Sequence, residues 1–239
     1  MSEYTNNANQ PIGFPLADWQ AAEFPPRLPL NGRYAQLEPL EASKHAEDLF
    51  EAYSVDDKIW TYLPYGPFDS LAAFAQWLVP MTKQKDPIFF AILDAKSKKA
   101  IGVASYLRIS PLDGVIEVGH INYSPFLQKT PAATEAMYLM MRYVFDTLAY
   151  RRYEWKCDAL NTGSQAAARR LGFQYEGTFR QATIYKGRNR DTAWYSILDS
   201  EWPVLKASFE AWLEPENFDL DGNQKASLQF FVGENLKKE

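Results

Sequence analysis

The sequence predicts an α+β fold with a mixed, mostly antiparallel sheet and a central βαβ unit. Three strand-like runs, Ile88–Leu93, Ala100–Ile109 and Val115–Tyr123, are joined by polar turns, which indicates an antiparallel meander. A long helical pattern over Thr130–Leu148 then leads to a further strand-like run at Tyr153–Cys157. A strand, a crossover helix and a strand in this order form a right-handed unit with parallel strands. We therefore expect one parallel strand pair inside an otherwise antiparallel sheet.

Elements of both kinds precede the meander. Apolar and polar residues alternate from Tyr34 to Leu37, which predicts a strand, and apolar residues at helical spacing predict a helix over His45–Tyr53. The segment Asp56–Phe68 is interrupted by proline and glycine and is rich in aromatic side chains, so it is expected to be a loop that packs down or lines a pocket. Ser70 is the expected N-cap of the next helix.

The elements after the βαβ unit alternate again. The pattern predicts a helix at Ser164–Leu171, strands at Phe173–Gln181 and Asp191–Leu198, and a helix near Trp202–Trp212. No internal repeat is found in the sequence.

Three segments are distinguished by composition. Residues 1–30 are predicted to form an extended arm, because five prolines interrupt them while aromatic side chains would hold the arm against the body. The arm could alternatively serve as a dimer contact or a lid. Residues 31–214 are expected to form the folded domain, and residues 215–239 are expected to be a polar tail.

Composition excludes several classes of protein. The chain has 239 residues, of which 46% are hydrophobic and 23% charged, which is typical of a globular protein. A single cysteine excludes an internal disulfide framework, and with only two histidines we expect no metal site. The net charge of -5 argues against direct binding to nucleic acid or an anionic membrane. With no signal-like start and no apolar run near membrane length, a cytoplasmic location is predicted.

The start of the long helix is a candidate anion site. Thr130 is a good N-cap and Pro131 suits the first turn, whose free N–H groups and positive dipole end attract anions. The helix start follows the C-terminal end of a parallel strand, where ligands of such sheets collect. Lys129 adds a point charge suited to phosphate. A plain helix cap is the alternative.

This segment resembles the pyrophosphate-binding motif of the Gcn5-related N-acetyltransferases (GNAT), Gln/Arg-x-x-Gly-x-Gly/Ala, with Gln128 and Ala133 in place. A second block is similar to the Asn-x-x-Ser…Leu-Gly-Phe-x-x-Glu-Gly signature of the branch that acetylates ribosomal-protein N-termini; its members here are Asn161, Ser164, Leu171, Gly172, Phe173, Glu176 and Gly177. The strand residues Glu117-Val118-Gly119-His120 resemble the Glu-Ile-Gly-Tyr of that branch. The resemblance extends over roughly Arg33 to Asp199.

Two positions depart from the family pattern. Pro131 replaces the usual glycine, so one pyrophosphate donor is missing, while the N–H groups of Lys129, Thr130, Ala132 and Ala133 remain. Losing one hydrogen bond would weaken binding by roughly 1 kcal/mol. Ala168 replaces the tyrosine that many members use as the general acid, which leaves Ser164 as the nearest matching hydroxyl.

The resemblance implies a mechanism. Acetyl-CoA is the co-substrate, and a bulge in the strand before the phosphate loop would free the N–H groups of Ile121 and Tyr123 for the thioester and the pantetheine. Asn161 would hold the co-substrate, and Ser164 would protonate or hydrogen-bond the departing thiolate. The alternative for Asn161 and Ser164 is helix capping.

A general base is harder to identify. Glu117 and His120 are candidates, but strict alternation would point them to opposite faces, so that at most one reaches the acceptor cleft, and each could be purely structural. An α-amine with a pKa of about 7.8 is ~15% neutral at pH 7, whereas a lysine is neutral below ~0.1%. An α-amine therefore needs less help, with water as the proton relay, and the preferred acceptor is a protein N-terminus.

The aromatic loop suggests a second class of acceptor. Trp60 and Tyr65 fall where family members place their acceptor wall, and a flat acceptor such as an aminoacyl-nucleotide could stack there. The alternative is that these rings seal the core. A catalytically inactive module that binds CoA is a further alternative, since both family departures fall in the site.

Overall fold

The computed structural model describes residues 4–220 and 222–237, which form two short strands of an N-terminal hairpin and an eight-stranded sheet flanked by helices. The strands are β1 (Tyr4–Thr5), β2 (Pro11–Ile12), β3 (Leu30–Asn31), β4 (Ala35–Pro39), β5 (Ile88–Asp94), β6 (Ala100–Ser110), β7 (Val115–Tyr123), β8 (Arg152–Asp158), β9 (Gln174–Tyr185) and β10 (Arg188–Leu198). The α-helices are α1 (Ala42–Tyr53), α2 (Leu71–Lys83), α3 (Pro131–Arg142), α4 (Thr162–Arg170), α5 (Trp202–Trp212) and α6 (Leu228–Leu236).

The sheet has the expected mixed topology. Its strand order is β3-β4-β5-β6-β7-β8-β10-β9, and each neighbouring pair is antiparallel except β7 and β8, which are parallel. The predicted βαβ unit is therefore confirmed, with α3 as its crossover. The strands β9 and β10 form one long hairpin whose turn includes Gly187, at a φ of 68°. Both strands extend farther toward this turn than the sequence predicts.

Each face of the sheet has its own core. On the face that we call the α3 face, α3, α4 and α5 pack over a large cluster that includes Ile116, Val118 and Trp155. On the opposite face, called the α1 face, α1 and α2 pack over β5 and β6 around Phe89 and Val103. Among the described residues, no helix is long and apolar enough to cross a membrane.

The crossover helix begins as its sequence predicts. Thr130 is the N-cap, and its Oγ1 accepts a hydrogen bond from the N–H of Ala133 at 3.2 Å. Pro131 occupies the first turn, where its missing N–H costs nothing. The helix ends in a π-helical turn over Tyr143–Thr147, so the regular α-helix is shorter than the predicted Thr130–Leu148.

A bulge interrupts β7 in the middle of the sheet. Val103 and Ser105 of β6 pair with Asn122 and Gly119 of β7, so two steps on β6 correspond to three on β7. His120 lies in the bulge with a φ of 50°. An extra residue of this kind bends the strand away from its partner.

The parallel pair separates at the bulge. β7 and β8 pair from Val115 and Arg152 to Val118 and Trp155, and their pairing ends there. The remaining residues of β7, 119–123, turn one edge toward a gap between the two strands. This gap, the β7–β8 gap, opens beside the start of α3.

The two terminal segments lie partly against the body. In the N-terminal arm, the Trp19 indole donates to the carbonyl of Leu112 at 2.9 Å, and Phe24 packs against the core, whereas Phe14 is exposed. The C-terminal segment differs from the expected polar tail, because α6 packs against α5 with Leu228 fully buried. Five of the nine residues of α6 are apolar, but they follow a long polar run, so the average composition of the tail concealed this helix.

Candidate active site

The edge of β7 that faces the gap carries the predicted oxyanion donors. The carbonyl of Tyr123 accepts a hydrogen bond from the side-chain amide of Gln128 at 2.8 Å, so this edge turns away from β6. In an extended strand the N–H and C=O of one residue point to the same side. The N–H of Tyr123, and that of Ile121 two residues earlier, therefore lie along the edge that β8 has left unpaired.

The loop before α3 leaves two backbone donors free. The N–H of Thr130 donates to the carbonyl of Leu127 at 3.3 Å, and that of Ala133 is held by the Thr130 hydroxyl. The N–H groups of Lys129 and Ala132 donate to no other atom in the part of the chain that the structure describes. With the helix dipole and the exposed Lys129 side chain, these two donors suit a pyrophosphate.

Two predicted residues meet at the start of α4. Asn161 is the N-cap, and its side-chain oxygen accepts the N–H of Ser164 at 3.0 Å, which is the capping role foreseen as its alternative. The Ser164 hydroxyl makes a different contact, because it accepts the indole N–H of Trp155 at 2.9 Å. The contact with Trp155 does not use the proton of the Ser164 hydroxyl. Burial raises the pKa of the nearby Cys157 thiol, and a hydrogen bond from Ser164 partly offsets this.

Glu117 belongs to a chain of ion pairs on the α1 face. It is only 3% exposed, and Arg108 donates to both of its carboxylate oxygens at 2.7 and 2.8 Å. Lys156 contacts the same carboxylate at 2.8 Å and bridges to Glu154 at 2.8 Å. Since both oxygens are already bonded, Glu117 is placed to position its neighbours rather than to accept a proton from an acceptor.

The structure corrects the prediction that Glu117 and His120 point to opposite faces. Gly119 pairs with Ser105, which also pairs with Phe89, so this row lies on the α1 face. Glu117, two residues before Gly119, shares that face. The His120 ring is 5.0 Å from the Phe89 ring and therefore lies there too. Strict alternation fails because the bulge inserts an extra residue between Gly119 and Asn122.

His120 lies in an apolar, positively charged environment. Its Nδ1 is 3.0 Å from the Tyr65 hydroxyl, and the two rings are stacked with centroids 5.7 Å apart. Burial, followed by the charges of Arg108 and Arg190, lowers the pKa of His120 to about 4. The imidazole is therefore neutral at physiological pH.

The two predicted acceptor aromatics have different positions. Trp60 is 4% exposed and packs edge-on against Tyr53, Phe68 and Phe74, so its ring offers no face to a ligand in this structure. It takes the sealing position foreseen as the alternative. Tyr65 is partly exposed beside His120, so the predicted stacking surface is reduced to Tyr65.

Sequence reasoning missed the contribution of the β9–β10 hairpin. Near its turn, Lys186 donates to the carbonyl of Trp60 at 2.8 Å and Arg188 donates to that of Thr61 at 2.9 Å. The hairpin thus joins the α1–α2 connection across the open end of the β7–β8 gap. Arg190 of the same hairpin lies close enough to influence His120. These contacts link residues more than a hundred positions apart, and no local pattern signals them.

Comparisons with known proteins agree with this geometry. The family model for the acetyltransferase (GNAT) domain matches residues 36–174. A crystal structure of a GCN5-related N-acetyltransferase from Brucella melitensis superposes with a TM-score of 0.90 and 50% identity, covering 91% of this chain and 100% of that one. An uncharacterized N-acetyltransferase, p20, from Bacillus licheniformis is 26% identical over 158 residues, which are 65% of this chain and 88% of the relative.

Two less similar structures share the fold alone. One, from Vibrio cholerae, is described as a ribosomal-protein-serine acetyltransferase and is 19% identical with a TM-score of 0.62. The other is the Microcin C7 self-immunity acetyltransferase MccE in complex with acetyl-CoA and AMP, 20% identical with a TM-score of 0.62.

Proposed function

Because this chain belongs to the GNAT acetyltransferase family, we propose that it transfers the acetyl group of acetyl-CoA to an α-amine. The observation that carries the proposal is the β7–β8 gap. It runs from the bulge at His120, on the acceptor side, to the free donors of Lys129 and Ala132 at the start of α3. One opening would thus connect the proposed reaction site with the proposed anion site.

The residues along this gap fit acetyl-CoA, which would supply an acetyl group activated as a thioester. Lys129 and the N–H of Ala132 would bind the pyrophosphate, with the loop held in shape by Thr130 and Gln128. The N–H of Ala133 is held by Thr130 and the side-chain oxygen of Asn161 caps α4, so Ala133 would only line the pyrophosphate site and Asn161 would hold the co-substrate through its side-chain NH2. The N–H groups of Ile121 and Tyr123 would donate to the thioester carbonyl as negative charge develops there.

In the reaction, the amine nitrogen bonds to the acetyl carbon as the C–S bond breaks, the amine loses one proton and the thiolate gains one. Ser164 would donate to the thiolate with the hydroxyl proton that its contact with Trp155 does not use. In the tautomer whose Nδ1–H donates to the Tyr65 oxygen, the Nε2 lone pair of His120 would take the amine proton directly or through water. A pKa near 4 makes it a weak base, so an amine of low pKa suits this site.

Two classes of α-amine are candidates, a protein N-terminus and a small molecule. One observation favours the small molecule: the β9–β10 hairpin is bonded to the α1–α2 connection through Lys186 and Arg188. Tyr62 adds a bond from its hydroxyl to the carbonyl of Leu160 at 3.1 Å. These contacts would narrow the end of the β7–β8 gap through which the acceptor enters. An extended peptide would have to displace them, whereas a small molecule would not.

The proposal can be tested with a panel of amines and acetyl-CoA, with released thiol as the readout. The panel contains small α-amines, short peptides with a free N-terminus, and the same peptides blocked at the N-terminus but carrying lysine. We expect thiol release with α-amines, faster for small molecules than for peptides, and none above hydrolysis with the blocked peptides. If acetyl-CoA binds by calorimetry but no amine accelerates thiol release, the chain is the CoA-binding module and the proposal is wrong.

A further inference from the structure

Arg190, near His120, has no hydrogen-bonding partner in the part of the chain that the structure describes. Its Nε is buried, and the guanidinium makes no hydrogen bond or ion pair within residues 4–220 and 222–237. The guanidinium carbon lies 5.9 Å from the centre of the Tyr185 ring. Buried donors in proteins are almost always bonded, so an unbonded arginine nitrogen calls for a partner that is not part of the chain.

The backbone places Arg190 at the mouth of the β7–β8 gap. Thr192 pairs with Asp158, the last residue of β8, so Arg190 lies two residues beyond the end of that strand. Alternation along β10 puts it on the same face as Trp194, whose ring lies under the Lys156 ammonium at 3.7 Å. Lys156 in turn contacts Glu117, so Arg190 faces the α1 side, where His120 lies.

The nearby carboxylates are already engaged. Glu117 is bonded to Arg108 and Lys156. Asp158 accepts from the Tyr185 hydroxyl at 2.8 Å, and Asp191 accepts from the N–H of Gln181 at 2.7 Å. None of these three carboxylates pairs with Arg190, so its guanidinium N–H groups are free to donate to an anion from outside.

We propose that the acceptor is a small amine that also carries a carboxylate or phosphate group, and that Arg190 binds this anion while the amine lies at His120. This inference rests on the proposed acetyl transfer and names the class of its acceptor. A guanidinium donates to either anion through two parallel N–H groups, which holds the acceptor in one orientation. Arg190 is thus a specificity-determining residue for this reaction.

The test compares two matched pairs of acceptors, each with and without the anion. Serine and serinamide test the carboxylate, and O-phosphothreoninamide and threoninamide, which keep an α-amine, test the phosphate. Each acceptor is measured with wild type and with Arg190→Gln, so that differences in intrinsic amine reactivity cancel. We expect Arg190→Gln to lower kcat/KM about 10- to 100-fold for at least one anionic acceptor, as for loss of a charge-assisted hydrogen bond. The neutral acceptors should stay within twofold.

Two controls separate the proposal from its alternatives. Arg180→Gln removes the same charge from an exposed position of the same hairpin and should leave the ratio of anionic to neutral acceptors unchanged. Calorimetry of acetyl-CoA with Arg190→Gln should give the wild-type affinity, and a tenfold loss would assign Arg190 to the co-substrate instead. Equal losses for charged and neutral acceptors, or no loss for either, overturn the inference while acetyl transfer stands. If no acceptor reacts although acetyl-CoA binds, acetyl transfer itself fails and the inference falls with it.

Discussion

At the scale of single residues, Ser164 connects stability with catalysis. Its hydroxyl accepts the indole N–H of Trp155, which is only 4% exposed, while its own backbone N–H is capped by Asn161. Removal of the hydroxyl would leave a buried indole donor without a partner. The same hydroxyl is the one that we propose protonates the departing thiolate.

We predict that Ser164→Ala lowers both kcat and stability. The free energy of unfolding should fall by about 1–3 kcal/mol, because a buried donor becomes unsatisfied. A serine is a weak acid and a CoA thiolate leaves readily, so the loss in kcat should lie at the low end for acid catalysis, about 10- to 100-fold. Urea unfolding and thiol-release kinetics at saturating acetyl-CoA measure the two effects.

Asn161→Ala provides the control for stability, because it removes a cap from the same helix without touching the hydroxyl, and its kcat is compared at saturating acetyl-CoA because Asn161 is also proposed to hold the co-substrate. It should cost about 1 kcal/mol of stability. Ser164→Thr keeps a hydroxyl and should restore most of kcat. A kcat for Ser164→Ala within twofold of wild type would remove the acid role and leave only the contact with Trp155.

The pKa of His120 predicts how the free energy of unfolding depends on pH. Its folded-state pKa of about 4 lies below the usual value of 6.5, because burial and two arginines disfavour the cation. The unfolded chain therefore binds a proton first, and the contribution of His120 to stability, complete above pH 6.5, is lost as the pH falls toward 4. Between pH 7 and 5 the loss should be on the order of 1 kcal/mol, allowing for partial exposure. Urea unfolding of wild type and His120→Gln at both pH values measures it.

The same pKa predicts how kcat/KM depends on pH. In wild type, kcat/KM should rise with pH only through the pKa of the acceptor amine, near 7.7–8.0 for an α-amine. An additional inflection near pH 6.5 that disappears in His120→Gln would show that the imidazole titrates in the normal range. That result would contradict the apolar, cationic environment described for it.

At the scale of elements, the sequence predicts what local patterns encode. Thr130, Pro131 and the apolar spacing behind them predict the start of α3, and Ser70 correctly predicts the start of α2. The face of the sheet on which His120 lies could not be predicted in this way. Side chains alternate between the two faces with a period of two, so one inserted residue reverses the face of every residue after it. A bulge depends on how β6 pairs with β7, which a single strand does not encode.

Side-chain burial in the α1–α2 connection shows the same limit. Trp60 and Tyr65 lie five positions apart in one aromatic segment, and composition treats them alike. In the structure their surroundings differ. Gly66 packs directly on the Trp60 ring and covers it, whereas the Tyr65 hydroxyl contacts His120. Likewise, Arg190 stands out only once its surroundings in the folded chain are known.

This separation predicts opposite phenotypes for two substitutions. Trp60→Ala should lower the free energy of unfolding by about 3–5 kcal/mol, as for other buried aromatics, with little change in the acceptor KM of the folded protein. Tyr65→Ala should raise the acceptor KM about tenfold and leave the acetyl-CoA KM unchanged, because the ring lies on the acceptor side. Thermal unfolding and two-substrate kinetics compare them, and Tyr65→Phe isolates the bond to His120. A reversed pattern would place the acceptor on Trp60.

At the scale of the whole molecule, the sheet is two halves joined at one parallel pair. The halves pair only from Val115 to Val118 of β7, and the hairpin contact from Lys186 to Trp60 bridges the open end. A ligand that enters the β7–β8 gap would touch both halves and the start of α3. Binding should therefore stabilise the fold as a unit.

We predict that acetyl-CoA at a hundred times its Kd raises Tm by about 5–10 °C. Binding to the folded state alone at that concentration contributes about 2.7 kcal/mol, and each kcal/mol shifts Tm by about 2–4 °C in a chain of this size. Ala133→Asp should abolish this shift at the same ligand concentration, because its carboxylate at the start of α3 repels the pyrophosphate. Without ligand, that carboxylate should leave Tm unchanged or slightly raised, since an anion at a helix N-terminus is worth about 0.3–1 kcal/mol.

The two opposite effects of one substitution make the test specific. Ala133→Asn has nearly the same shape without the charge, so it should keep most of the ligand-induced shift and show whether size alone disturbs the loop. A general defect in folding would lower Tm in the absence of ligand, which electrostatics does not predict. If Ala133→Asp keeps the full shift with acetyl-CoA, the pyrophosphate does not bind at the start of α3, and the donors of Lys129 and Ala132 serve another purpose.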